Sequence, residues 1–238
     1  VYNLNVNIKF FASSQIAEDR VPMPKPARLY VPQWYKDIKN DNSFDFDDKG
    51  PLAQLSDIKR CMPFLDGLTT GYIQETWTDI WIRLNKDGSV SYASAIGPDI
   101  MASREFQSTP ISEKYYQAEF VWKMHWLPKL PKGWSAIITS PMNRPDLPFI
   151  CLSGIIDSDN FYQTNINGGN YPFFIEQGFQ GLIPAGTPMY QIIPFKRETW
   201  NSSSVKFDEV KAIKRVVNIK KYFRNGYKKI NWQKKSYS

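Results

Sequence analysis

Asp157, Ser158, Asp159 and Asn160 put two carboxylates and an amide within four positions at the end of an apolar run, and Lys196 and Arg197 add two adjacent cations further on. Carboxylates can serve as general acid, general base or metal ligand, and paired cations can hold an anion. Asp66, Asp157 and Asp159 with Lys196 and Arg197 are therefore the groups for an enzyme acting on a polar metabolite or carbohydrate. An oxygen-rich turn can also hold Ca²⁺ or Mg²⁺, but the Gly and distal Glu of an EF-hand loop are missing, and an Asp that caps backbone N–H groups is the plainer role. Trp126 and Trp134 bracket Pro128, Lys129, Pro131 and Lys132. Such an aromatic wall stacks a sugar or a base, or packs beneath a Pro-stiffened loop. Trp126, Trp134, Asp157, Asp159, Lys196 and Arg197 are the ligand-binding candidates; no residue stands out as catalytic.

The exclusions are broader. The single histidine, His125, rules out every centre that needs two imidazoles, and it sits on the polar parity of a Trp-rich run, as a surface or hydrogen-bonded histidine would. Cys61 and Cys151 lack metal-type spacing, and neither Gly-x-Ser-x-Gly nor a Gly-rich phosphate loop followed by Lys occurs. No metal and no cofactor is expected. A non-catalytic binding or structural protein fits this pattern best and is the first reading, with the carboxylate enzyme as its alternative.

A third reading comes from the charge. The formal net charge is +7, and residues 206–238 hold eleven Lys and Arg against two acids, a balance of +9, which leaves −2 for residues 1–205. Lys214, Arg215, Lys220, Lys221, Arg224, Lys228 and Lys229 interleave with Tyr222, Phe223, Tyr227 and Trp232. Neutralised phosphates and stacked bases are the physics of single-strand binding, so these residues are the polyanion-binding candidates, with a solvated basic helix as the alternative. Self-association is a further possibility for partners, and no membrane is expected as one, because no apolar stretch approaches the roughly 20 residues of a spanning helix.

The elements that must position these groups are mainly strands. Tyr2, Leu4, Val6, Ile8 and Phe10 alternate with Asn3, Asn5, Asn7 and Lys9, which predicts an opening strand. Pro22, Pro24, Pro26 and Pro32 predict an extended connector, Trp34-Tyr35-Lys36 a short helix, residues 41–50 an acidic loop and 51–60 a helical turn or two. A strand over 72–84 leads through Asn85-Lys86-Asp87-Gly88 into one over 89–95, a hairpin signal. Further strands are expected at 120–126, 134–138, 149–156, 161–166, 173–176, 179–183 and 189–195. Nine or ten short strands with 42% apolar residues suit two packed antiparallel sheets. The predicted fold is mainly β, an antiparallel β-sandwich or jelly roll with short helices, over residues 1–205. Residues 206–238 form a second unit, an amphipathic helix over 206–224 and a basic tail. Phe207, Val210, Ile213 and Val217 share a helical face that can dock on the sandwich, while the chain beyond Asn225 is expected to add charge at little structural cost.

Two resemblances bear on this reading. Gly178-x5-Pro184-x-Gly186 is distantly similar to the second cupin motif, but Met189 stands where its metal-binding His belongs. A longer series also resembles a family found in bacteriophages, other microbial viruses and bacteria. It runs from Pro32-x-Trp34-Tyr35-Lys36 through Lys59-Arg60-Cys61-Met62-Pro63-Phe64-Leu65-Asp66, Gly71-Tyr72-Ile73, Pro131-Lys132-Gly133-Trp134-Ser135 and Gly154-Ile155-Ile156-Asp157-Ser158-Asp159. It ends with Ile183-Pro184-Ala185-Gly186-Thr187-Pro188 and Gln191-Ile192-Ile193-Pro194-Phe195-Lys196-Arg197-Glu198-x-Trp200. That resemblance implies a viral or marine-microbial setting, in the cytoplasm of the producing or host cell or on a virion, and no particular activity.

Overall fold

In a computed structural model, the described residues are 6–38, 58–95, 97–104, 110–161, 168–222 and 226–238. The expected loop at 41–50 and most of the expected turn at 51–60 lie outside them, as do 162–166 of one expected strand.

Fourteen short strands are described, and every pairing between them is antiparallel. One sheet has β10 (Phe149–Cys151), β12 (Gly169–Ile175), β7 (Phe120–Met124) and β6 (Met101–Ser103) in that order. A second has β11 (Gly154–Ile156), β9 (Trp134–Thr139), β14 (Pro188–Lys196), β3 (Tyr72–Glu75) and β2 (Lys25–Pro26). A third joins β13 (Gly181–Ile183), β4 (Ile80–Leu84) and β5 (Val90–Ser94), and β1 (Lys9–Ala12) pairs with β8 (Trp126–Lys129).

The core explains this layering. Phe120, Trp122 and Phe173 from the first sheet share one buried cluster with Ile138, Tyr190 and Ile192 from the second and Ile80, Ile82 and Ile183 from the third. Trp122 stacks on Phe173 with ring centroids 3.8 Å apart, and Phe149 meets both rings edge-on. Strand alternation supplies these residues: in β4, Ile80 and Ile82 are buried while Trp81 and Arg83 point out. The fold is thus mainly β and antiparallel, with sheets packed face to face in the manner of a β-sandwich.

Several boundaries differ from expectation for local reasons. The expected strand over 72–84 breaks at Thr76, whose hydroxyl donates to the Pro184 carbonyl at 2.8 Å, so β3 and β4 enter different sheets. The β4–β5 hairpin itself forms as expected, with Gly88 at φ +83° and the Ser89 amide donating to Asp87 Oδ1. The run over 149–156 likewise divides into β10 and β11. Residues 2–5 of the expected opening strand lie outside the described residues; the described strand is β1, Lys9–Ala12, with Ile8 and Phe10 half-buried on the expected parity. The Pro-rich connector contributes β2 and a 3₁₀ turn, Ala27–Tyr30, before α2 (Gln33–Asp37). Gly71 turns the chain from α3 (Met62–Thr69) into β3 at φ +72°, where a Cβ would stand 2.1 Å from the Ile192 carbonyl oxygen, so only glycine fits.

After β14 the chain leaves the sheets. Asp208 caps α4 (Glu209–Lys221), accepting from the Lys211 amide at 2.9 Å. Then α5 (Gly226–Ile230) folds back on it through Gly226, whose Cβ would lie 2.4 Å from the Ile219 carbonyl oxygen. Residues 232–238 return to the sheets.

Candidate functional site

The end of β11, the loop between β8 and β9, and the end of β14 meet around Arg197. Its Nη1 donates to Asp157 Oδ1 at 2.9 Å, Asp159 Oδ1 at 3.2 Å, Ser135 Oγ at 3.0 Å and the Trp134 carbonyl at 3.3 Å; Nη2 donates to Asp159 Oδ2. Ser135 Oγ donates to Asp157 Oδ1 at 2.8 Å, and the Gly133 amide donates to Asp159 Oδ2 at 3.0 Å. Backbone bonds brace the same junction, from the Arg197 amide to the Gly133 carbonyl and from the Leu130 amide to the Ser158 carbonyl. The β9–β14 register pairs Trp134 with Lys196, which brings Arg197 alongside Gly133.

The electrostatics follow from this geometry. The Arg197 hydrogen bonds, with help from the Gly133 amide, hold the Asp159 carboxyl below the ordinary Asp range, and Asp159 together with Asp157 raises the Arg197 guanidinium. Both carboxylates are thereby committed to one cation. Asp159, held this way, is poorly suited to proton transfer, because a general acid or base needs a pKa close to working pH.

The sequence candidates therefore divide. Asp157, Asp159, Arg197 and the Trp134 backbone are brought together. Lys196 is not part of the cluster: it is exposed and pairs with Glu198 at 3.0 Å. Trp126 is also a correction. It is buried with Ala17 and Val21 from α1 (Gln15–Arg20) and its end, and its Nε1 donates to the Val21 carbonyl at 2.8 Å, so it forms no stacking wall with Trp134. Trp134 is half-buried and lines a cavity of about 540 Å³ with Tyr72, Leu130, Pro194 and Tyr237. His125 bridges β7 and β8 as a structural residue, its Nδ1 3.1 Å from Ser13 Oγ and its Nε2 2.8 Å from the Asp99 carbonyl oxygen. Met189, at the position where the cupin motif has its His, is fully buried in the core.

Burial pushes the Cys151 thiol up to about 12, which leaves it inert at neutral pH, whereas Cys61 is exposed. Among the described residues no three His, Cys, Asp or Glu side chains come together as a metal-holding group.

Asp66 has a role the sequence does not announce. It accepts from Trp232 Nε1 through both oxygens at 3.1 Å and pairs with Lys235 Nζ at 2.6 Å. Tyr237 meets the Tyr72 ring edge-on at 5.9 Å, the Tyr72 hydroxyl donates to the Ser238 carbonyl at 3.2 Å, and Arg28 donates to the Tyr237 carbonyl. Residues 232–238 are therefore docked, so the chain beyond Asn225 does more than add charge.

The reverse holds for the helix. The face that could have docked on the sandwich is open to solvent: Phe207 is 83% exposed, Val210 62%, Ile213 56% and Val217 48%. Lys214, Arg215, Lys221, Lys228 and Lys229 are exposed as well, and among the described residues none of the five is in an ion pair. The Lys220 side chain and Arg224 lie outside the described residues.

No protein-family model matches this chain, and no curated protein matches it significantly. No helix among the described residues is long and apolar enough to cross a membrane.

Proposed function

We propose that this chain is a non-catalytic binding protein, a jelly-roll-like framework whose helical hairpin, α4 with α5, is a contact element for polyanions. The carrying observation is the contrast in how charge is used. The carboxylates and guanidinium that chemistry would need are spent on one another, while five hairpin cations stand exposed and, among the described residues, without an ion-pair partner, on an element whose C-terminal end is docked at Asp66 and Tyr72. A fixed, unneutralised cluster of cations attracts phosphate-rich surfaces at little ordering cost. A phage or marine-microbial setting, as an accessory or virion-associated protein, agrees with the motif resemblance and is part of this proposal.

The test is retention of the full chain on immobilised heparin and on single-stranded DNA across a salt gradient. Lys214→Gln with Arg215→Gln should elute at clearly lower salt than the unaltered chain, because each lost phosphate contact lowers the log–log salt slope by about 0.7 on single strands. A chain that is not retained on either matrix at low salt overturns the proposal.

A further inference from the structure

We infer that the hairpin seats on an anionic phospholipid surface, a partner that rests on the reading of the hairpin as a polyanion contact and narrows it. At 100° per residue, Val210, Ala212, Ile213, Val216 and Val217 fall on one half of α4, which also holds the Glu209 and Lys220 positions near its two ends, and Lys211, Lys214, Arg215 and Lys221 fall on the other. Val210, Ile213, Val216, Val217 and Ile219 are all exposed, and Trp200, Val205 and Phe207, in the stretch between β14 and α4, are 82%, 90% and 83% exposed. The hairpin thus shows water two faces that normally need different partners.

The two faces together decide the partner. A nucleic acid neutralises the cations but has no use for a row of aliphatic side chains. A second copy of the hairpin would cover the aliphatic row but would set residues 206–230, with nine Lys and Arg against two acids, a balance of +7, against another such segment. An anionic bilayer takes both: the aliphatic face enters the interface, the lysines and arginines remain among the headgroups, and exposed Trp and Phe suit the boundary. Because α4 is too short and too polar to span, it would lie in the plane of the surface. The attachments at Asp66 and Tyr72 hold the far end of the hairpin, so binding need not first release the helix from its own sheets.

Flotation of the full chain with phosphatidylcholine vesicles, with and without phosphatidylglycerol, tests this. The expected result is binding to the anionic vesicles and at least about tenfold weaker binding to the neutral ones. Ile213→Ser with Val217→Ser should lower vesicle binding about tenfold while leaving heparin and DNA retention within about twofold, and Lys214→Gln with Arg215→Gln should lower both. All four positions are exposed, and circular dichroism checks that each variant folds. The inference is overturned if the unaltered chain binds heparin and DNA but ignores anionic vesicles, which would leave nucleic acid as the partner and the proposed function standing. It is also overturned if the serine variant floats as the unaltered chain does, or if sedimentation shows a dimer that the serine variant abolishes. Failure to bind heparin, DNA and vesicles alike removes the proposed function as well.

Discussion

The Arg197 junction and the α4–α5 hairpin are both rich in charge, yet they do opposite things with it. At the junction, one guanidinium serves two carboxylates, a hydroxyl and a carbonyl, and three stretches of chain are tied together. On the hairpin, Asp208 caps the helix and pairs with Lys211 at 3.3 Å, but the remaining described cations have no carboxylate partner. Complementary charges that meet across distant segments hold a fold together, whereas like charges gathered on one exposed element remain available to something else.

The largest expected effect strikes the hairpin's function. Lys214→Glu with Arg215→Glu reverses the local field, so retention on heparin should fall by about a hundredfold or more while stability stays within about 0.5 kcal/mol, as is usual for exposed positions. Titration of binding together with urea unfolding checks both halves; a parallel loss of stability would mean that these residues hold the fold after all.

Next comes the anchor that carries the hairpin. Asp66→Ala leaves Trp232 Nε1 and Lys235 without their acceptor, and loss of a partly covered charge-assisted site costs about 1–3 kcal/mol. Limited proteolysis should then cut within residues 200–238 faster than in the unaltered chain, with the sheets remaining intact. Equal protection in both proteins would show that Tyr237 on Tyr72 suffices to hold the segment.

How much of this was legible depends on whether a feature is local. Alternation in Ile80-Trp81-Ile82-Arg83 and the Asp87-Gly88 turn are local, so the β4–β5 hairpin, the antiparallel class and the C-terminal helix could be read directly. Asp157, Asp159 and Arg197 were recognisable as chemistry-bearing types, but that they neutralise one another depends on the β9–β14 register, which no local pattern encodes. Trp126 and Trp134 are close in sequence, yet the β8–β9 turn sends them to different surroundings. Asp66 and Trp232 are separated by 166 positions, so the docking of the last residues had no sequence signature. The amphipathic face of α4 was visible, but amphipathicity says only that a face seeks cover, not that the same chain provides it.

The smallest effect is the pH dependence of the junction, and its sign is fixed. Hydrogen bonds from Arg197 and Gly133 lower the Asp159 carboxyl in the folded state, so the unfolded chain binds the proton more readily there. The resulting stabilisation is fully present above the ordinary Asp range near 3.9 and is lost as pH falls through the lower folded value. Thermal midpoints measured from neutral pH into the acid range should therefore decline less steeply at the acid end for Arg197→Gln than for the unaltered chain, since the glutamine variant has already forfeited that contribution at neutral pH. The Ile213→Ser and Val217→Ser hairpin variant should follow the unaltered curve throughout, because it leaves the bonds between Arg197 and Asp159 untouched. Identical acid slopes for Arg197→Gln and the unaltered chain would show that the junction carries no proton-linked stability, and the contrast between a clasp that uses its charges and a hairpin that displays them would then rest on geometry alone.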